Sequence, residues 1–386
     1  MRIALLCSDT GIPLGGVKGA SVHLRAVAAS LLRMGHQVAA IVASAGPEGG
    51  FAPLAERGLE VRVLRHPRTV REIDWQLSQV RPDLVIERLS LLAPEGALAA
   101  AEAGIPHIYE VNAPLDEEAA RHRNFDRIEE ARATFTQGFT ASRGAIAVSE
   151  EVARWVRALA PASYPVTVEP NGAGPEFLAA PDPKQIVKIE ERLRLTGGEF
   201  RVGFVGSFRP WHDIDTLLHA ANELAKNVPT RVLMVGDGPQ RNHVLRTAWS
   251  GRAAVTLTGA VPHHEVPPHL ALCDAVAVPY ASEDVYFSPL KLVEAMAASR
   301  PVVASATGPV KRIVTDGRDG LLVAPGDRVA FTAALERLAF EPALRGRIGA
   351  EARRTVERTY TWDAVIGRVL QFAAGLTQRT EGSWRG

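Results

Sequence analysis

Short apolar runs, many of them β-branched, alternate along this chain with longer stretches whose apolar positions recur every three or four residues. The first pattern predicts strands at 3–7, 38–43, 61–64, 83–86, 107–110 and 145–148. A second set follows at 202–205, 231–235, 255–258, 275–278, 301–304 and 321–323. Strands without a polar face need cover on both sides, which predicts parallel sheets wound between helices. The alternation lapses between Pro170-Asn171-Gly172 and Gly198, where three prolines fall from Pro175 to Pro183, and then resumes. The expected fold is α/β: two tandem Rossmann-like doubly wound domains, 1–172 and 173–360, facing a cleft, with ligands at the carboxyl ends of the strands. A last helical pattern runs from Trp362 to Leu376, within 361–386. In this kind of fold such a helix returns to pack on the N-terminal domain.

At 386 residues the chain is too long for one ordinary core, in keeping with two domains. Hydrophobic residues make up 46% and charged residues 23%, with a net charge of +1, and residues 1–172 hold 18 basic against 20 acidic side chains. Neither half has the one-signed field of a nucleic-acid binder, so no nucleic-acid partner is expected. Cys7 and Cys273 sit in apolar runs and read as buried thiols of a reducing compartment. Only five apolar residues in a row precede Ser8, too few for a signal-peptide core, and no run approaches the roughly 18 needed to span a bilayer. A cytoplasmic protein is expected. Basic residues between Arg121 and Arg143, interleaved with Phe125, Phe135 and Phe139, leave room for a weak peripheral membrane contact. Acidic residues from Asp116 to Glu130 favour a solvated helix instead.

Chemistry concentrates in Tyr286-Phe287-Ser288-Pro289-Leu290-Lys291-Leu292-Val293-Glu294-Ala295-Met296. Pro289 suits a first helical turn, and the free amides near Leu290 and Lys291 would present a positive dipole end to a phosphate. Lys291 adds a full charge. Glu294, one turn beyond Leu290, is placed to accept hydroxyl hydrogen bonds from a ribose. An anion site followed by a diol acceptor reads as a nucleoside diphosphate site. Upstream, Gly15-Gly16 follows the first strand and precedes a helix, without the Gly-x-Gly-x-x-Gly spacing of a dinucleotide fingerprint. The second half opens with Val205-Gly206-Ser207-Phe208-Arg209-Pro210-Trp211-His212, where the planar fork of Arg209 suits phosphate oxygens. Asp213-Ile214-Asp215 resembles a metal-binding Asp-x-Asp but opens a helix, so capping is expected and no metal site is assigned.

Together these motifs resemble, in order and spacing, the family 4 retaining glycosyltransferases, which have the GT-B fold and use nucleotide sugars. The usual family pattern is a Glu, seven residues and a second Glu before Ala-Met-Ala. Glu294 occupies the second position, and Tyr286 replaces the first. The resemblance implies that Arg209, Lys291 and Glu294 are the principal active-site residues, with Arg209 and Lys291 on the diphosphate and Glu294 on the ribose. It implies that Gly16, Ser207, His212, Gly236, Gly259, Tyr286, Ser288 and Leu290 line the donor. Gly236 and Gly259 would border the base and Tyr286 the transferred sugar. Glu110 and Asn112 fall on the acceptor side. The implied reaction moves a hexose from a UDP- or GDP-sugar to a hydroxyl acceptor with retention, without an obligatory cofactor or metal, in a monomer or homodimer. A catalytically inactive nucleotide-binding homologue and a nucleotide-sugar epimerase of the same fold are the alternatives.

Overall fold

The structure, a computed structural model, describes residues 1–66, 69–122, 124–249 and 251–382. The chain divides into two compact units, Met1–Asn171 with Tyr286–Ser288 and Trp362–Gly386, and Gly172–Val285 with Pro289–Thr361.

Among the described residues the first unit builds one parallel sheet from β1 (Arg2–Cys7), β2 (Gln37–Val42), β3 (Glu60–Val63), β4 (Leu84–Arg88), β5 (His107–Val111), β6 (Gly144–Ala147) and β7 (Val166–Val168). Their order is β3-β2-β1-β4-β5-β6-β7. Strand β1 pairs with β2 on one side and β4 on the other, so the chain reverses its winding at that seam. Residues 3–7 are buried to the last atom or nearly so, as a strand covered on both faces requires. The chain's last helix, Trp362–Gly382, belongs here and buries Trp362, Val365, Ile366 and Val369. Asp363 at its start accepts hydrogen bonds from Arg33 at 2.6 Å and Ser30 at 2.7 Å, both on the helix Gly19–Arg33.

The second unit repeats the plan with β8 (Phe200–Val205), β9 (Thr230–Val235), β10 (Ala254–Gly259), β11 (Ala275–Val278), β12 (Val302–Ser305) and β13 (Leu321–Val323), in the order β10-β9-β8-β11-β12-β13. The switch point falls between β8 and β11. One core cluster joins Phe204, Phe208, Leu217, Met234 and Phe331.

All twelve expected strands are present, displaced by at most two residues at their ends. Strand β7 is the addition: its three residues lie between Pro165 and Pro170, too short a run to register as a strand. Both cysteines are buried free thiols, pushed up by desolvation to about 11 for Cys7 and about 12 for Cys273. The basic stretch forms two helices, Leu115–His122 and Ile128–Ala141, with Arg123 outside the described residues. Phe135 and Phe139 point into the core, and Arg127 and Arg132 pair with Glu130 and Asp116, so those aromatics are not offered to a membrane. Among the described residues no helix is long and apolar enough to cross a membrane.

Candidate functional site

In the second unit the carboxyl ends of β8, β9 and β10 turn within a few ångströms of one another. Gly206 has φ +138° and Gly236 φ +132°, a region side chains avoid. A Cβ on Gly236 would stand 2.1 Å from the Gly206 carbonyl oxygen, and one on Gly238 2.4 Å from the Phe208 nitrogen. The Gly206 amide donates to Val235 at 2.9 Å and the Gly236 amide to Gly259 at 3.1 Å. Three neighbouring turns are thus locked through their backbones. Ser207 and Arg209 stand on the exposed rim of the first, with the Arg209 guanidinium 5.7 Å from the Trp211 ring.

Beside this knot the eight-residue helix Leu290–Ala297 begins, with Pro289 at its N-cap position instead of its first turn. The Leu292 amide donates back to Pro289 at 3.0 Å, so the amides of Leu290 and Lys291 are the leading ones at the positive end. The Lys291 ammonium lies 2.9 Å from His212 Nε2 and 4.3 Å from the centre of the Phe204 ring. A Cβ on Gly206 would meet Lys291 Nζ at 2.9 Å, so the glycine makes room for the ammonium. Burial lowers Lys291 from 10.5 to about 7, against the opposing pull of Glu294. Burial, then the charges of Lys291 and Arg209, lower His212 to about 2, so its ring is neutral. An ammonium can only donate, hence Nε2 accepts and the ring proton sits on Nδ1. The Arg209 amide, 3.4 Å from Nδ1, is then a contact and not a bond.

One turn into the helix, Glu294 is buried, and its Oε1 lies 2.7 Å from His263 Nε2. His263 follows the β10 turn and was no part of the expected site. Its ring is also 3.9 Å from Glu176 Oε1 and 5.2 Å from the Phe177 ring. The carboxylates of Asp213 and Asp215 diverge. Asp213 caps its helix by accepting from the Thr216 amide at 3.1 Å, and Asp215 faces His243 at 2.6 Å.

The remaining candidates belong to the first unit. At Gly15 and Gly16 the lack of a side chain is explained by the loop itself, since added Cβ atoms would meet the Pro47 carbonyl at 1.9 Å and Ser21 Oγ at 2.7 Å. Arg25 braces the same loop by donating to the Gly16 carbonyl at 2.7 Å. Glu110, at the end of β5, pairs closely with His23. Burial would raise its carboxyl, but His23, Arg88 and Asn112 together hold it below the usual range. The pair lines a cavity of about 20 Å³ with Asn171, Trp362 and Ile366. Tyr286 donates to Glu118 Oε2 at 3.2 Å, and its carbonyl accepts from Ser149. Ser288 Oγ accepts from the Asn171 amide at 2.9 Å, and the Ser288 carbonyl accepts from the Asn171 side chain at 3.1 Å. Asn171 therefore holds the Ser288 turn from its backbone and its side chain.

Residues 17–177 match a family model described as Glycosyltransferase Family 4, and residues 199–340 match one described as Glycosyl transferases group 1. A GDP-mannose-dependent alpha-(1-6)-phosphatidylinositol monomannoside mannosyltransferase of Mycobacterium tuberculosis is 29% identical over 83% of this chain and 85% of its own length. A D-inositol 3-phosphate glycosyltransferase of Frankia alni is 36% identical over 53% of this chain and 52% of its own, so the chain spans about half the length of that relative. For another of that name, from Stackebrandtia nassauensis, the match is 30% identical and spans 49% of its length. In fold the chain is similar to Anabaena HepE, solved in complex with UDP and glucose, at a TM-score of 0.75 and 21% identity, over 97% of this chain and 100% of that one.

Proposed function

This chain belongs to the group 1, family 4 glycosyltransferases, and we propose that it is a retaining enzyme that moves a sugar from a UDP- or GDP-sugar to a hydroxyl acceptor. The observation that carries this reading is the Lys291 ammonium, set between Phe204, His212 and Gly206 where β8 and β11 part, in the first turn of the helix Leu290–Ala297. Such a place suits the diphosphate of a leaving group.

On this reading Arg209 and Lys291 offset the negative charge that grows on the departing diphosphate, and the amides of Ser207 and Leu290 add donors. His212 keeps Lys291 aimed by accepting a hydrogen bond from its ammonium. Gly236 and Gly259 border the base and Glu294 accepts from the ribose. Tyr286 and Ser288 form the sugar-side turn. Gly16, Glu110 and Asn112 serve the acceptor side. Retention is expected by front-face return, in which the leaving phosphate takes the acceptor proton and no dedicated protein base is required. Cationic side chains and helix ends do the work of a metal in this scheme. Both donor types are kept because the mycobacterial relative is GDP-mannose-dependent while the HepE structure contains UDP.

The test has two steps. Thermal shifts with UDP- and GDP-sugars identify the donor, since a ligand at about 100 times its Kd stabilises by roughly 2.7 kcal/mol. The product's anomeric proton is then read by NMR with and without chelator. A retained product with undiminished turnover in chelator is expected. An inverted product overturns the mechanism, and activity lost to chelator and restored by magnesium overturns the metal-free scheme.

A further inference from the structure

Glu294 is held from outside its own helix. His263 stands on the short turn His263–Glu265, just after the β10 end that is read here as bordering the base. Its Nε2 is 2.7 Å from Glu294 Oε1, its Nδ1 is 3.9 Å from Glu176 Oε1, and its ring tilts at 56° against Phe177. One imidazole is therefore bracketed by two carboxylates and backed by an aromatic ring. A carboxylate only accepts, so the nitrogen facing Glu294 carries a proton whatever the charge of the ring, while Glu176, 3.9 Å from Nδ1, is beyond hydrogen-bond distance. One oxygen of Glu294 is fixed by this bond. The other is left to meet a ligand from a defined direction.

We infer that His263 is a positioning residue for ribose recognition, setting the Glu294 carboxylate through the Nε2–Oε1 hydrogen bond. The inference rests on the reading of Glu294 as the ribose acceptor. It adds that the loop after β10 governs how well that acceptor works, so base and ribose recognition are coupled through one side chain. Phe177 backs the ring, and Glu294 alone touches the hydroxyls.

Calorimetry with UDP and GDP and their 2′,3′-dideoxy counterparts separates this role from a simple structural brace. Wild type is expected to prefer the ribose form by about tenfold or more, the worth of a hydrogen bond to a charged group. His263→Phe keeps the ring beside Phe177 but removes the donor. It should cut the ribose preference to within roughly threefold while dideoxy binding stays unchanged. His263→Gln, which keeps an N–H donor, should restore most of the preference. If His263→Phe does not fold, His263→Asn, too short to make the same bond, replaces it. A full ribose preference in the Phe variant overturns the inference, as does an equal loss of affinity for both ligand forms. Wild type with no ribose preference, or with no binding of either nucleotide, overturns the reading of Glu294 and this inference with it.

Discussion

An ammonium packed against an aromatic ring and an imidazole has lost most of its water, and Lys291 responds by falling from 10.5 to about 7. Between those values the unfolded chain binds a proton that the folded, ligand-free protein does not. This residue's contribution to stability should therefore rise as pH goes from about 7 to about 10.5. A bound diphosphate reverses the preference by recruiting the proton. Above about pH 7, affinity for a nucleotide sugar should fall by up to about tenfold per pH unit, and calorimetry in buffers of different ionisation enthalpy should register proton uptake. Lys291→Arg should flatten that slope, because a guanidinium stays charged. The same slope in the Arg variant would rule Lys291 out as its source. Lys291→Ala should cost roughly 1.5–3 kcal/mol of nucleoside diphosphate affinity, and Arg209→Ala less, because its exposed guanidinium is screened by solvent. Calorimetry showing neither loss would remove both from the phosphate site. Lys291 and Glu294 fall one turn apart in one motif and Arg209 falls in a second, so all three could be singled out as candidates from residue type and local spacing. His263 could not, because its partner is on a separate segment and only the fold brings them together.

At the scale of elements, the glycine turns divide into two kinds that look the same in sequence. Gly236 combines φ +132° with a carbonyl 2.1 Å from where a Cβ would stand, whereas Gly259 has φ +74° and open space around it. Gly236→Ala faces both strain and a collision with backbone that cannot move without disturbing β8, so it should destabilise by about 2–4 kcal/mol. Gly259→Ala faces the left-handed penalty alone, about 1–2 kcal/mol. Urea titration of both variants checks the order, and equal losses would mean the turns are not locked as described. Of the two glycines that the resemblance sets beside the base, Gly236 therefore has part of its space taken by the neighbouring turn. Sequence periodicity located the strands because full burial leaves an uninterrupted apolar run. It missed Val166–Val168, where the run is three residues, and placed Pro289 one position too far into its helix. Such boundaries depend on hydrogen bonds to other segments, as with Asn171 and Ser288.

At the scale of the whole chain, the last helix is distant in sequence from the unit it completes, so only burial and hydrogen bonding reveal what it contributes. Ile366 and Val369 are 3% and 4% exposed, while the Asp363 side chain that meets Arg33 is about half exposed at 49%. Apolar burial should thus outweigh the ion pair. Ile366→Ala is expected to destabilise the first unit by about 2–4 kcal/mol, the transfer loss plus whatever cavity remains beside Trp362. Asp363→Ala should cost no more than about 1 kcal/mol, because its carboxylate is partly solvated and its gain is screened. Hydrogen exchange read by mass spectrometry gives the location as well as the size. In Ile366→Ala, protection should drop across β6 and the helix Gly19–Arg33 while β8 to β13 keep theirs. A loss of protection spread evenly over both units would show that the helix stabilises more than the unit it is packed in, and a larger effect from Asp363→Ala would show that the polar staple, not the apolar face, fastens it.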